Sequence, residues 1–279
     1  MLVMLACGAL LLIAAAAAWR WRGYSLTVPA WARDEQAGPA GRAQALVWFV
    51  AVALLCGLAV GVFVIGPAGR LAMRLLAATS ADAQGRITEA EQVVGQISLT
   101  GTIGFMLFVG VPFGLAAGLA YALASFVVPR GLVGGAVFGA AALVLVGATV
   151  DPLRGDNPDF AIVGPGWLSV VIFFLMAVLT GAITAPVAGR IAAAVGRPTR
   201  WWWLWLLPLT LFATAALTVV SVAAGVVVVG CLVLLAALVL PRWSGAVRRR
   251  AARAVQGIVA VAVLVSVPGF VSALAAIVD

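Results

Sequence analysis

Residues 45–66 read ALVWFVAVALLCGLAVGVFVIG, a run with no charged or amide side chain and no polar face. A strand of a lipid-facing barrel would alternate apolar with polar residues, and this run does not. A helix crosses the hydrocarbon of a bilayer with about 20 consecutive apolar residues. It also pairs its backbone polar groups internally, as lipid demands. The rest of the chain has the same character: of 279 residues, 65% are apolar and 9% charged, and the mean hydropathy is +1.20. A soluble domain is about half apolar and a quarter charged. The expected fold class is therefore all-α, an integral membrane helical bundle in which residues 1–279 form a single transmembrane domain.

Eight transmembrane helices are expected. They are Leu2–Ala18, Ala45–Gly66 (ended or kinked by Pro67), a run from near Ser98 to just before Pro129, and about Gly131–Val150 and Trp167–Gly189. Two more share Trp201–Leu240, divided near Ser221–Gly225, and the last is Ala254–Val278. The first run lacks a positively charged start and is followed by Arg20 and Arg22, which reads as an uncleaved anchor with its N-terminus outside. Every one of the 17 basic residues is Arg. With the N-terminus outside, the inner segments hold Arg20, Arg22, Arg33, Arg42, Arg130, Arg190, Arg197, Arg200, Arg242, Arg248, Arg249, Arg250 and Arg253. The outer segments hold Arg70, Arg74, Arg86 and Arg154. That excess agrees with the positive-inside rule and places both the N- and C-termini outside.

One long connection carries charges of both signs: Gly66–Thr102, GPAGRLAMRLLAATSADAQGRITEAEQVVGQISLTGT. Residues 67–98 are expected to form an extracytoplasmic amphipathic, charged cap between spans two and three. Arg70 and Arg74 lie one helical turn apart, as do Leu71 and Leu75, which predicts a short amphipathic helix. Thr88 and Glu91 have the spacing of a capping box, predicting a helix from there through Val93, Val94 and Ile97 into span three. Arg70, Arg74 and Arg86 balance Asp82, Glu89 and Glu91 in charge. This permits a self-paired cap, a docking surface for a partner protein, or a lipid or anion site at the guanidinium forks. The candidate outer-face recognition residues are accordingly Arg70, Arg74, Arg86, Glu89 and Glu91.

Small residues spaced four apart allow helix backbones to approach closely in lipid. Gly110, Gly114 and Gly118 form such a line on span three, and Gly131, Gly135 and Gly139 on span four; Gly181, Ala185 and Gly189 form another on span five. The adjacent lines predict that spans three and four pack against each other. PAGRLA at Pro67–Ala72 also echoes PVAGRIA at Pro186–Ala192, the pattern an inverted repeat of spans two to four and five to seven would leave.

Several chemistries lack their residues. There is no His and no Lys, hence no imidazole ligand or base and no lysine phosphate loop. The expected span centres hold no Asp, Glu or Arg, the usual mark of proton relays and ion-coupled pumps. Asp151, Asp156, Asn157 and Asp159 could offer oxygen ligands to calcium, but their order is not that of an EF-hand, and with Pro152, Gly155 and Pro158 they read as turn formers. Cys7, Cys56 and Cys231 lie singly within apolar runs and read as small hydrophobes. No catalytic residue, metal site or cofactor is expected. The arginines sit at the ends of apolar runs and not on a solvated face with stacking aromatics, so no nucleic-acid partner is expected either.

GRLAMRLLAATS…QGRITEAEQVVGQISLTGT, with the later DNPDF before a span, resembles uncharacterised multispanning inner-membrane proteins of high-GC bacteria, a group with no known activity. The resemblance covers about two of the eight spans. It implies a multipass location in the bacterial cytoplasmic (inner) membrane and marks the outer stretch as a signature, without a substrate. The function expected is that of a non-enzymatic multipass membrane protein, an accessory or scaffolding component with an outer-face cap. Its partners would be membrane lipids and a membrane protein. The alternative is a facilitator or uncoupled transporter of a small or lipidic solute. An enzyme ranks third, since it would need carboxylates converging on an outer cleft.

Overall fold

The apolar runs fold as helices because lipid leaves their backbone groups no other partners. A computed structural model describes residues 1–33, 38–89, 93–149, 152–197 and 245–278. Spans six and seven within Trp201–Leu240, Cys231, Asp151 and Glu91 lie outside the described residues. We label the helices α1 (Leu2–Arg20), α2 (Pro39–Ala78), α3 (Leu99–Ala124), α4 (Gly131–Val146), α5 (Gly166–Ala194) and α6 (Gly245–Val278). Among the described residues no strand is present, only an isolated antiparallel bridge between Ile87 and Val93. Five of the helices are long and apolar enough to cross a membrane. The exception, α4, has 16 residues, about 24 Å at 1.5 Å per residue. It stops at Val146, short of the expected Val150.

Two helix boundaries differ from expectation. α2 does not end at Pro67 but continues as a single 40-residue helix to Ala78, so the expected separate amphipathic helix is its final three turns. The reason lies one turn before the proline. A proline ring collides with the carbonyl four residues earlier; here the turn Gly61–Ile65 is widened to π geometry, with the Gly66 N–H donating to the Gly61 carbonyl. That widening makes room for the ring. α3 repeats the device, with a wide turn at Met106–Gly110, Val111 N–H donating to the Met106 carbonyl, and Pro112 next. The second difference is the start of α3. Ser98, not Thr88, caps it, its hydroxyl accepting from Gly101 N–H at 3.0 Å, and the segment through Val93, Val94 and Ile97 is not helical.

The glycine lines seat helix on helix, in different pairs from those expected. α3 packs on α2: a Cβ on Gly57 would stand 2.6 Å from the Gly114 carbonyl oxygen and from Leu115 Cα. One on Gly61 would stand 2.5 Å from the Gly110 carbonyl oxygen, and one on Gly118 2.6 Å from Gly57 N. α4 packs on α5: a Cβ on Gly181 would stand 2.7 Å from Gly139 N, and one on Gly135 2.8 Å from Ala185 Cβ. Real Cβ atoms essentially never come within 3.0 Å of another heavy atom. The expected pairing of spans three and four through their glycine lines is thus replaced by two seams, because each line meets the glycines of its own hairpin neighbour. α3 and α4 touch instead through Tyr121 and Phe138, ring centroids 5.5 Å apart. Gly131 belongs to neither seam; it turns the chain into α4 at φ +78°.

Between the seams, Ala14 and Ala18 of α1, Cys56, Val60 and Val64 of α2, and Ile183 and Ala185 of α5 form the largest buried cluster. Trp48, fully buried, donates from its indole to the Val195 carbonyl at 3.0 Å. The α2–α3 and α4–α5 connections lie at one end of the bundle, where Gly164 approaches Leu76. The Val278 end of α6 is there too, since Gly166 sits against Ile277, while Gln256 bonds the Val127 carbonyl near the opposite end. α1 ends at that opposite end, with Tyr24 and Ser25 against Gly189. There arginines lie over rings: Arg22 over Trp19, Arg190 over Tyr24 and Arg197 over Trp31. Of the two echoing sequences, Pro67 follows a wide turn and Pro186 stands inside an ordinary stretch of α5.

A wide turn holds one residue more than an ordinary one. Deleting the exposed Phe63 together with Pro67→Ala should therefore restore a regular helix and leave Arg70 on the same face. Deleting Leu55 from an ordinary turn should rotate everything after it by about 100°. Thermal unfolding in detergent checks this: the first variant is expected to melt near the wild type and the second to lose its transition.

Candidate functional site

The two connections at the α2–α3 end build one cap. Leaving α2, Thr79 and Ser80 fold their hydroxyls back onto the Leu76 carbonyl at 3.0 and 2.9 Å, a local bond that competes with further helix. A turn at Ala81–Ala83 follows. The chain then doubles back through the Ile87–Val93 bridge, with Gly85 N–H donating to Val94 O at 3.1 Å and Val94 N–H to Arg86 O at 2.9 Å. Gly85 and Gly95 flank this ribbon at φ +82° and +89°, a backbone region that side-chain-bearing residues rarely adopt. Gln84 fastens the ribbon to α2 by donating to Ala77 O at 2.9 Å.

The other connection closes over it. Asn157 accepts from Asp159 N–H at 2.8 Å and caps the short turn Pro158–Ala161. Ile162 and Val163 then pack on Ala77, Ala83 and Val94. Ser80 Oγ accepts from the Gly164 N–H. Asp159 Oδ1 accepts from Glu89 N–H at 2.8 Å. Arg154 completes the join, donating from Nη2 to both Glu89 carboxylate oxygens at 2.7 and 2.9 Å. Its Nε reaches Asp156 at 2.9 Å.

The candidate residues separate accordingly. Glu89 is tied to Arg154 across the two connections; among the described residues it makes no pair with Arg70, Arg74 or Arg86. Arg86 is exposed and contributes its backbone to the ribbon. Arg74 is exposed on the last turns of α2. Arg70, half-buried, points away from the cap core toward α3. Its Nε donates to Thr102 Oγ1 at 3.2 Å and its guanidinium lies 5.7 Å from the Phe105 ring centroid. Glu91 is outside the described residues. Sequence reasoning missed Arg154, Asp159, Ser80 and Thr102 as members. Arg154 and Asp159 carried a signal, being charges in the only other connection expected on the same side that has any.

Among the described residues this arrangement offers fixed donors and acceptors but no paired nucleophile and base. Asp156 and Asp159 are engaged with Arg154 and the Glu89 amide. Among the described residues, no three His, Cys, Asp or Glu side chains form a group that could hold a metal ion. No family model matches the chain, and neither a curated protein nor a solved structure matches it.

The Glu89–Arg154 pair is partly exposed on both sides, and such pairs contribute about 0.2–1 kcal/mol. A double-mutant cycle with Glu89→Gln and Arg154→Gln, read by unfolding in detergent, should return a coupling in that range. Strict additivity of the two changes would contradict the pairing.

Proposed function

We propose that the chain is a non-enzymatic accessory or scaffolding component of a bacterial inner membrane. In this reading it has eight spans, both termini outside, and the cap on the outer face. The observation that carries it is the cap itself. Its charges are used to lock two connections together, leaving a fixed ribbon whose paired residues Arg86 and Ile87 are exposed and, in this reading, face outward beyond the membrane. A surface held by internal ion pairs and turn glycines suits recognition of a membrane protein partner better than chemistry. The arginine distribution supports the sidedness, and the shared end of the described connections and of α6 supports an even number of crossings between α5 and α6.

The second reading, a facilitator of a small or lipidic solute, draws on the wide turns of α2 and α3. They face each other, Gly61 against Gly110 and Gly66 against Met106, and π turns often mark functional sites.

Cysteines introduced singly into a background without native thiols test both. Ile87→Cys should react with an impermeant maleimide on intact cells. Carrying a benzophenone maleimide, it should give discrete photo-adducts that disappear when Glu89→Gln releases the cap. Val64→Cys, buried between the spans, should stay unreactive. Cytoplasmic labelling at Ile87 or cap-independent adducts would overturn the accessory reading, and ready labelling at Val64 would favour the facilitator.

A further inference from the structure

We propose that Arg70 binds the phosphate of a membrane phospholipid at the cap end of the bundle, beside the start of α3. Arg70 lies one turn beyond Pro67, where the apolar part of α2 gives way to polar chain. Phospholipid headgroups lie at that depth, next to the ends of spanning helices. Its guanidinium carries five N–H donors in a planar fork. Among the described residues only Nε has an oxygen acceptor, Thr102 Oγ1 at 3.2 Å; Nη1 meets the Met73 sulfur at 3.9 Å. No carboxylate among the described residues pairs with it. Arg154, by contrast, spends its fork on Glu89 and Asp156.

The fork is also held in place. The Thr102 hydroxyl that accepts from Arg70 donates in turn to the Ser98 carbonyl at 2.9 Å, and the Phe105 ring lies against the guanidinium. Gly101 lies beside the fork, a Cβ there standing 3.5 Å from Nη2, an ordinary van der Waals contact. Among the described residues Nη2 meets no oxygen acceptor, and two non-bridging phosphate oxygens satisfy such a planar fork together. Acyl chains have a surface beside it: Met73, Leu99, Ile103 and Leu107 are exposed. A half-buried guanidinium without a counter-ion is costly, and a lipid phosphate removes that cost where no carboxylate among the described residues does. The proposal rests on the membrane-spanning fold and is independent of the accessory role, which is read at Ile87.

The test is native mass spectrometry of the full-length, detergent-solubilised protein titrated with phosphatidylglycerol, and separately with inorganic phosphate. A charge-assisted bond contributes about 1.5–3 kcal/mol; at the lower end Arg70→Gln should weaken the tightest lipid adduct about tenfold. Arg70→Lys, which keeps the charge and loses the fork, should fall between Arg70→Gln and the wild type. Thr102→Val should weaken the adduct by freeing the guanidinium, while Arg74→Gln should leave it unchanged. Should Arg70→Gln fail to fold, Arg70→Lys and Thr102→Val carry the test. Equal lipid affinity in all these variants would overturn the proposal. So would inorganic phosphate binding as tightly as the lipid, which would make the site one for a free anion.

Discussion

In hydrocarbon a helix gains little by burying an apolar side chain against another helix, because lipid tails are equally apolar. What holds such a bundle is the closeness of contact, and here closeness is set by glycine. Gly57, Gly61, Gly114 and Gly118 bring the backbones of α2 and α3 together, and Gly135, Gly139 and Gly181 do the same for α4 and α5. Each pair is joined at the same end of the bundle. The two connections therefore emerge side by side, and the cap follows from the seams beneath it.

The wide turns belong to the same logic. Pro67 and Pro112 each follow one, so both helices carry on across a residue that usually ends or kinks a helix. The continuation of α2 carries Arg70 past the proline and beside Thr102. Had α2 ended at Pro67, nothing in the backbone would place that guanidinium against α3. Seam, wide turn and arginine position are thus one chain of consequences running from Gly57 to Thr102.

Much of this was legible in the sequence and some was not. The helical membrane class could be read from 45–66 alone, and the small-residue lines named the glycines that make the seams. The partner of each line could not be read, because spacing marks a face of one helix and says nothing of which neighbour meets it. Pro67 misled because a proline's effect depends on whether the preceding turn can widen, a property of packing against Gly110 and Met106. The cap residues were visible as charges, but their pairing was not. Glu89 chooses Arg154 over nearer arginines because the second connection folds onto the first, a long-range fact with no local signature. Thr88 and Glu91 had the right spacing for a cap box, yet between the left-handed glycines at 85 and 95 Ile87 bridges Val93, and no helix continues through Val93 and Val94.

An alanine scan of glycines bears most directly on the account, with unfolding free energy measured in bicelles. Alanine at Gly57, Gly114 or Gly181 should destabilise by about 1–3 kcal/mol, the cost of forcing atoms into filled space. Alanine at Gly8, Gly104 or Gly257, where a Cβ would meet nothing within 4 Å, should change stability by no more than about 0.5 kcal/mol. Equal effects in the two groups would contradict the claim that backbone contact at glycine holds the bundle together.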